Sequence, residues 1–318
     1  MRRQLATTGL GGTGLEITRV GLGAWAIGGT GYEFAWGEQD DDESLAAIER
    51  ALELGVNWID TAAVYGLGHS EEVVGRALAG RKDHPYVFTK ASLLDGGGGR
   101  IVHQLKRDSI LREVDSSLKR LGVDAIDLYQ IHWPDPEPDI EEAWATFAEL
   151  KERGLVRHIG VSNFKVAQMQ RIQQIAPVET LQPPYSLIDR GVEGSILPFA
   201  ERERIGVIVY SPMGSGLLSG AMTRERIASL PEDDWRKRSA QFNEPRLAHN
   251  LELVERLRVV AGRHDATPGA VAVAWTLLNP AVDGAIVGFR RPSQVDPILT
   301  AAAIELTGED IATIGRVP

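Results

Sequence analysis

The 318-residue chain contains no cysteine. Disulfides, thiolate-bound zinc, iron–sulfur clusters and cysteine nucleophiles are therefore excluded from its stability and its chemistry. Long apolar runs are missing as well: no stretch approaches the roughly 18 to 20 residues that cross a bilayer. The opening MRRQLATTGLGGTGLEITRV starts basic but breaks into Thr and Gly before an apolar segment forms, unlike a secretory leader. Positive charge is also short. Against 34 Lys and Arg stand 44 Asp and Glu, a net charge of −10, which has the wrong sign for general attraction to nucleic acid or anionic lipid. A small basic pocket for one phosphate remains compatible with that balance. These absences predict a cytoplasmic protein with no nucleic-acid or membrane partner and no metal, acting as a monomer or weak oligomer on a small molecule. Also missing is a G-x-G-x-x-G after the first strand with an acid downstream, so a dinucleotide-binding Rossmann fold is a poor reading.

What is present is a regular alternation of short β-rich runs and amphipathic helical runs. RVGLGAW (19–25) reads as a strand and is followed by a helix from Asp42, the expected N-cap, to Gly55. VNWIDT, YVFTKA, AIDLYQIH, VRHIGVSN, ETLQPPYSL, VIVYSP and GAIVGF each precede a helical pattern in the same way. Eight such units in one chain fit an α/β fold of the (β/α)8 TIM-barrel type, occupying residues 1–318 as one domain, better than an open doubly wound sheet. A long irregular segment, 217–249, follows the seventh strand; loops of that length are usually functional or mobile. The DGGGG run at 95–99 reads as a flexible surface loop.

In such barrels the chemistry sits at the C-terminal ends of the strands. Asp60 closes the second strand, and Tyr65 lies in the loop just after it. Lys90 closes the third and His132 the fourth. Ser162 and Asn163 close the fifth, Gln182 the sixth, and Tyr210 with Ser211 the seventh. Taken singly, Asp60 could be a cap, Tyr65 a packing aromatic, Lys90 a rim charge and His132 a satisfied core histidine. One barrel mouth would gather all four.

The motifs IDTAAVYG, FTKAS, IHWPD, GVSNF, LQPPYSL and YSPMGSGLLSG, in that order, resemble the aldo-keto reductase superfamily, as do TGLEITRVGLGAWAIGG and IVGFRRPSQV. Among its branches the chain is most similar to bacterial, inositol-catabolism-type reductases. The resemblance implies NADPH-dependent reduction of aldehydes and ketones, with NAD(H) as the other possible cofactor. Tyr65 would be the proton donor, its phenol made more acidic by Lys90. Asp60 would hold the Lys90 ammonium, and His132 would orient the substrate oxygen. Ser162, Asn163 and Gln182 would bind the carboxamide, with Asp60 nearby, and Tyr210 would stack on the nicotinamide. Ala24, Trp25 and the turn Ser211, Pro212, Met213, Gly214, Ser215 and Gly216 would line the cofactor's path. Gly288, Arg290, Arg291 and Gln294 after the eighth strand would meet the adenosine phosphate, and Arg238 in the segment 217–249 would close over it. The family often carries Glu-Asn where this chain has Pro297 and Ile298, and Lys where it has Ala221. Trp25, Trp133 and Met213 are expected to wall the substrate pocket, with Phe34 or Trp36 as looser candidates. Trp58 is expected in the core.

Two other functions fit some of these residues. A barrel lyase would use Lys90 as a Schiff-base nucleophile but leaves GVSNF and YSPMGSG without a role. A cofactor-sensing subunit with little turnover would keep the binding residues and lose the chemistry. The substrate itself is not written in the motifs. Broad aldehyde reduction is the expectation, with oxidation of a polyol or sugar as the other direction.

Overall fold

The computed structural model describes residues 5–315. Two short antiparallel strands, β1 (Thr7–Gly9) and β2 (Glu16–Thr18), come first. Eight parallel strands then close a barrel: β3 (Val20–Gly23), β4 (Trp58–Asp60), β5 (Tyr86–Ala91), β8 (Ile126–Ile131), β9 (Val156–Ser162), β10 (Thr180–Gln182), β11 (Gly206–Val209) and β12 (Gly284–Gly288), with β12 paired back to β3. A second hairpin, β6 (Leu93–Asp95) and β7 (Ile101–His103), stands on the rim. The (β/α)8 expectation is met.

Strand periodicity divides the barrel interior into layers, because residues two apart share a face. Trp58, Phe88 and Leu128 pack with Ile208 and Ile286 near the N-terminal end, and Leu10 and Ile17 of the first hairpin plug that end. The Trp58 indole is fully buried, donates to the Thr18 carbonyl at 2.8 Å, and fills the space that Gly21 leaves. A Cβ at Gly21 would sit 2.1 Å from the indole, so no other residue fits there. Two residues further along the same strands come Asp60, Lys90 and Gln130. The apolar floor therefore gives way to a polar layer at the mouth.

Helices cover the outside: α1 (Asp41–Glu53), α2 (His69–Leu78), α3 (Arg107–Leu121), α4 (Ile140–Glu152), α5 (Val166–Ile172), α6 (Ile196–Glu203), α7 (Arg224–Ala228), α8 (Arg246–Arg263), α9 (Pro268–Thr276), α10 (Val295–Leu299) and α11 (Gly308–Ile314). The N-cap of α1 is Asp40, whose side chain accepts from the Glu43 amide, and not Asp42. Three consecutive aspartates all suit a cap, so composition could not select among them. The last helix is clasped to α8 through Asp310, which accepts from Arg263 and pairs with His264, both at 2.9 Å.

One expectation about loops needs correction. The segment 217–249 is not irregular: it holds α7 and 3-10 turns at Leu217–Ser219, Trp235–Arg238 and Ala240–Phe242. Leu217, Met222, Ile227, Phe242 and Leu247 give it an apolar cluster of its own. The run at 95–99 lies at the turn of the β6–β7 hairpin, where Gly96, Gly97 and Gly98 are exposed as a surface loop and only Gly99 is seated. Gly99 accepts the Glu33 amide at 3.0 Å, and a Cβ on it would lie 2.3 Å from the Gly31 carbonyl.

Candidate active site

The polar layer brings the four strand-end residues together. Lys90 is fully buried and donates to Asp60 Oδ1 at 2.6 Å and to the Thr61 carbonyl at 2.8 Å. Its Nζ lies 5.2 Å from the centre of the Tyr65 ring. The Tyr65 and His132 rings meet edge to face, with centroids 5.7 Å apart. Asp60 Oδ2 accepts Gln182 Nε2 at 2.8 Å, so both carboxylate oxygens are engaged.

Burial acts against every charge here. It raises Asp60 and lowers Lys90, and the attraction within the pair opposes both shifts. It pushes the Tyr65 phenol well above its ordinary value, with the Asp60 charge adding to the rise. Burial, and after it the Asp60 charge, outweighs the acidifying pull expected of Lys90, whose ammonium is paired with Asp60 at 2.6 Å. His132 is driven well below the usual histidine range by burial and then by the Lys90 charge, which makes it a neutral imidazole at pH 7. The Lys90 nitrogen is taken up by Asp60 and the Thr61 carbonyl, which argues against its serving as a free Schiff-base amine.

Beside this group, Asn163 holds a left-handed backbone (φ 64°) that turns its amide inward. Its Nδ2 donates to the His132 carbonyl at 2.9 Å, and its Oδ1 accepts the Tyr210 hydroxyl at 2.9 Å. Ser162 Oγ donates to the Gln182 carbonyl at 2.8 Å. Ser162, Asn163, Gln182 and Tyr210 thus form one connected set, as the strand ends predicted. The turn 211–216 carries left-handed backbone at Ser211, Gly214, Ser215 and Gly216. Two of these are not glycine, a strain that persists only where the surroundings enforce it. Among the described residues the amides of Met213, Ser215 and Gly216 have no hydrogen-bond partner. Free amides in such a turn suit an anion, so the donor set fits a pyrophosphate.

The remaining expected residues have varied surroundings. Ala24 is fully buried, with its amide on the Asp60 carbonyl and its own carbonyl on Ser70, so it sits beneath the mouth. Met213 is half-buried, with its sulfur against Gly269 of α9, 2.9 Å from where a Cβ there would be. The Arg290 guanidinium is spent on Gln39 Oε1 at 2.6 Å and on the carbonyls of Trp36 and Glu38. Gln294 turns its amide oxygen back onto the Arg290 and Arg291 amides. Arg238 is exposed and donates to the Glu33 carbonyl at 3.0 Å. Arg291 and Gly288 remain exposed beside the end of β12, and Pro212 is buried within its turn.

The residue that motif reading missed is Arg236. It is 6% exposed, and it is held by Asp234 at 2.9 and 2.6 Å through Nε and Nη2. Its remaining nitrogen, Nη1, would lie 3.8 Å from a Cβ on Gly216. A basic WRKR run contains the signal, but only packing shows which cation faces inward. Its neighbour Trp235 stacks on Trp25 at 5.3 Å, and Trp25 in turn stacks on Tyr65 at 6.0 Å. Trp36 meets both indoles edge-on and lies under the Arg236 guanidinium at 4.4 Å. Trp133, 41% exposed, and Phe34, 39% exposed, are large apolar side chains left open to solvent.

Comparison with known proteins agrees with this geometry. The profile of the Aldo/keto reductase family matches residues 19–317. Aldo-keto reductase YhdN of Bacillus subtilis (strain 168) is 40% identical over 313 residues, covering 98% of this chain and 92% of its own. The NADH-specific methylglyoxal reductase of Escherichia coli (strain K12) is 33% identical over 321 residues, covering 96% of each. Among solved structures, the glycerol dehydrogenase AKR11B4 of Gluconobacter oxydans superposes with a TM-score of 0.86 at 38% identity, covering 97% of this chain and 93% of that one. No helix among the described residues is long and apolar enough to cross a membrane. A match running through every strand of the barrel leaves one conclusion: this chain belongs to the Aldo/keto reductase family and is an NAD(P)H-dependent oxidoreductase.

Proposed function

We propose that the chain reduces small aldehydes and ketones to alcohols with Tyr65 as the proton donor. The observation that carries this is the buried Lys90–Asp60 pair set against the Tyr65 ring, with the His132 ring edge to face with it. A bound reduced nicotinamide supplies the hydride. With its pKa raised, the Tyr65 phenol keeps its proton through the neutral range and yields it only to an oxygen acquiring alkoxide character, a far stronger base. Lys90 steadies the charge left on the phenol, and Asp60 keeps the ammonium in place. The neutral imidazole of His132 donates a hydrogen bond that fixes the carbonyl oxygen. Trp25, backed by Trp235, and the open Trp133 form the apolar walls.

For the cofactor, Ser162, Asn163 and Gln182 would take the carboxamide and Tyr210 the ring face. The free amides of Met213, Ser215 and Gly216 and Arg236 Nη1 would take the pyrophosphate. The segment 217–249, as part of one barrel domain, would thereby cover the cofactor. NADPH is the proposed preference, resting on Arg291 alone now that Arg290 is engaged, and one guanidinium implies a modest margin over NADH. The test is NAD(P)H consumption across a panel of aldehydes, ketones and sugars. Tyr65→Phe should bind the cofactor as the wild type does while turnover falls by roughly 10²- to 10⁴-fold. Near-normal turnover in that variant would remove Tyr65 from the role.

A further inference from the structure

Behind His132 and Trp133, on the outer side of the barrel wall, lies a buried carboxylate that the proposed chemistry does not use. Glu113 of α3, 6% exposed, accepts the Ser92 amide through Oε2 at 2.9 Å and the Ser109 hydroxyl through Oε1 at 3.1 Å. Ser92 comes two residues after Lys90, is fully buried and has φ 95°. A serine is strained in that region and stays there only because its surroundings hold it. Its Oγ accepts the Trp133 amide at 3.3 Å, and the Ala91 carbonyl accepts the His132 amide at 3.0 Å. The backbone of His132 and Trp133 therefore rests on the Ala91–Ser92 step, and Glu113 grips that step from behind.

We propose that Glu113 is a positioning residue for the reaction: its carboxylate fixes the Ser92 turn, which sets where His132 and Trp133 stand at the mouth. The proposal rests on the reading of His132 as the group that orients the carbonyl. An ionised Glu113 makes two charge-assisted hydrogen bonds, each roughly twice as strong as a neutral one. A protonated Glu113 must use one oxygen as a donor and holds Ser92 only as a neutral acceptor.

Burial raises this carboxyl to about 7, against the pull of the Ser92 amide and the Ser109 hydroxyl. The groups facing it are Glu71 from α2, Tyr129 from β8, Asp95 from the β6–β7 hairpin, and Arg112 and Arg120 from its own helix. Glu71 is locked to Arg120 and Thr89, and the Tyr129 phenol is pushed well above its usual value. A cavity of about 230 Å³ lined in part by Ser109, Arg112 and Ser116 lets solvent reach the group.

Glu113→Gln makes the protonated hydrogen-bonding pattern permanent. The ratio of wild-type to variant kcat/KM should be near one at about pH 5.5 and rise to about fivefold above about pH 8.5. A ratio independent of pH marks an ordinary structural defect and overturns the proposal. Ser109→Ala removes a donor that favours the carboxylate, so the midpoint of that rise should move up in pH; an unmoved midpoint also overturns it. Independently of turnover, the Ser92 amide proton in NMR spectra of the protein without added ligand should titrate with the same midpoint. A flat Ser92 signal sinks the proposal even if Glu113→Gln fails to fold. In a His132→Ala background the pH-dependent ratio should collapse towards one, and its survival overturns the route through His132. If His132→Ala itself leaves turnover unchanged, the reading of His132 falls and takes the functional half of the proposal with it. A titrating Ser92 with a flat activity ratio sinks the proposal alone.

Discussion

Asp60→Ala strands the Lys90 ammonium. Lys90 has no exposed side-chain surface, and its partners are Asp60 at 2.6 Å and the Thr61 carbonyl at 2.8 Å. Without Asp60 one neutral acceptor remains for a buried charge, and breaking a buried pair in this way costs about 3–5 kcal/mol. Gln182 loses its 2.8 Å acceptor as well and turns to Gln130 Oε1, now 3.4 Å away. Total stability for a domain is about 5–15 kcal/mol, so the loss is a large fraction of it. Asp60→Ala combined with Lys90→Met removes the stranded charge and should recover most of that loss, about 3–5 kcal/mol, relative to Asp60→Ala alone. Urea unfolding at neutral pH measures both. The deficit of the single variant should shrink on going alkaline. Burial already lowers Lys90, and without its counter-charge the folded pKa falls further below the unfolded value. The unfolded chain then binds more protons, and stability rises with pH in that window. A single variant within about 1 kcal/mol of wild type, or a double variant less stable than the single, refutes this account of the pair.

Two further outcomes are expected. Arg291→Ala should bring kcat/KM for NADPH down to that for NADH while leaving NADH use unchanged; an unaltered cofactor ratio means the phosphate is held elsewhere. The Asp310 carboxyl is held well below the ordinary range by the Thr307 amide, then His264, then Arg263. A depressed folded pKa adds stability above the unfolded value and loses it as pH falls. Asp310→Ala should therefore lower Tm at neutral pH by a margin that narrows below about pH 4.

The barrel was legible because its signals are local. Each strand is a short β-rich run, and each helix has its own amphipathic face, so eight units could be counted without knowing one contact. The Asp60–Tyr65–Lys90–His132 group was legible for a related reason: parallel strands put all their C-terminal ends on one side. What failed depended on contacts far apart in sequence. Nothing within GFRRPSQ says that Arg290 turns towards residues 36–39, some 250 positions away, while Arg291 stays in solvent. WRKR does not say that the first of its basic residues, not the last, faces inward. Met213 belongs to a recognisable turn, yet the placing of its sulfur on Gly269 is settled by helix packing. Glu71 and Glu113 look like ordinary helix-surface acids until α2 and α3 are docked against β5.

The contacts of Arg290, Trp235 and Arg238 join three distant parts of the chain. The Arg290 guanidinium ties the end of β12 to residues 36–39, and the same N-terminal loop meets the long segment where Trp235 N–H donates to the Ala35 carbonyl and Arg238 to that of Glu33. If the segment 217–249 covers the bound cofactor, these ties fasten it at its edge. If its parting limits the cycle, chemically unlike carbonyls should then turn over at one shared ceiling, set by how long this latch stays shut.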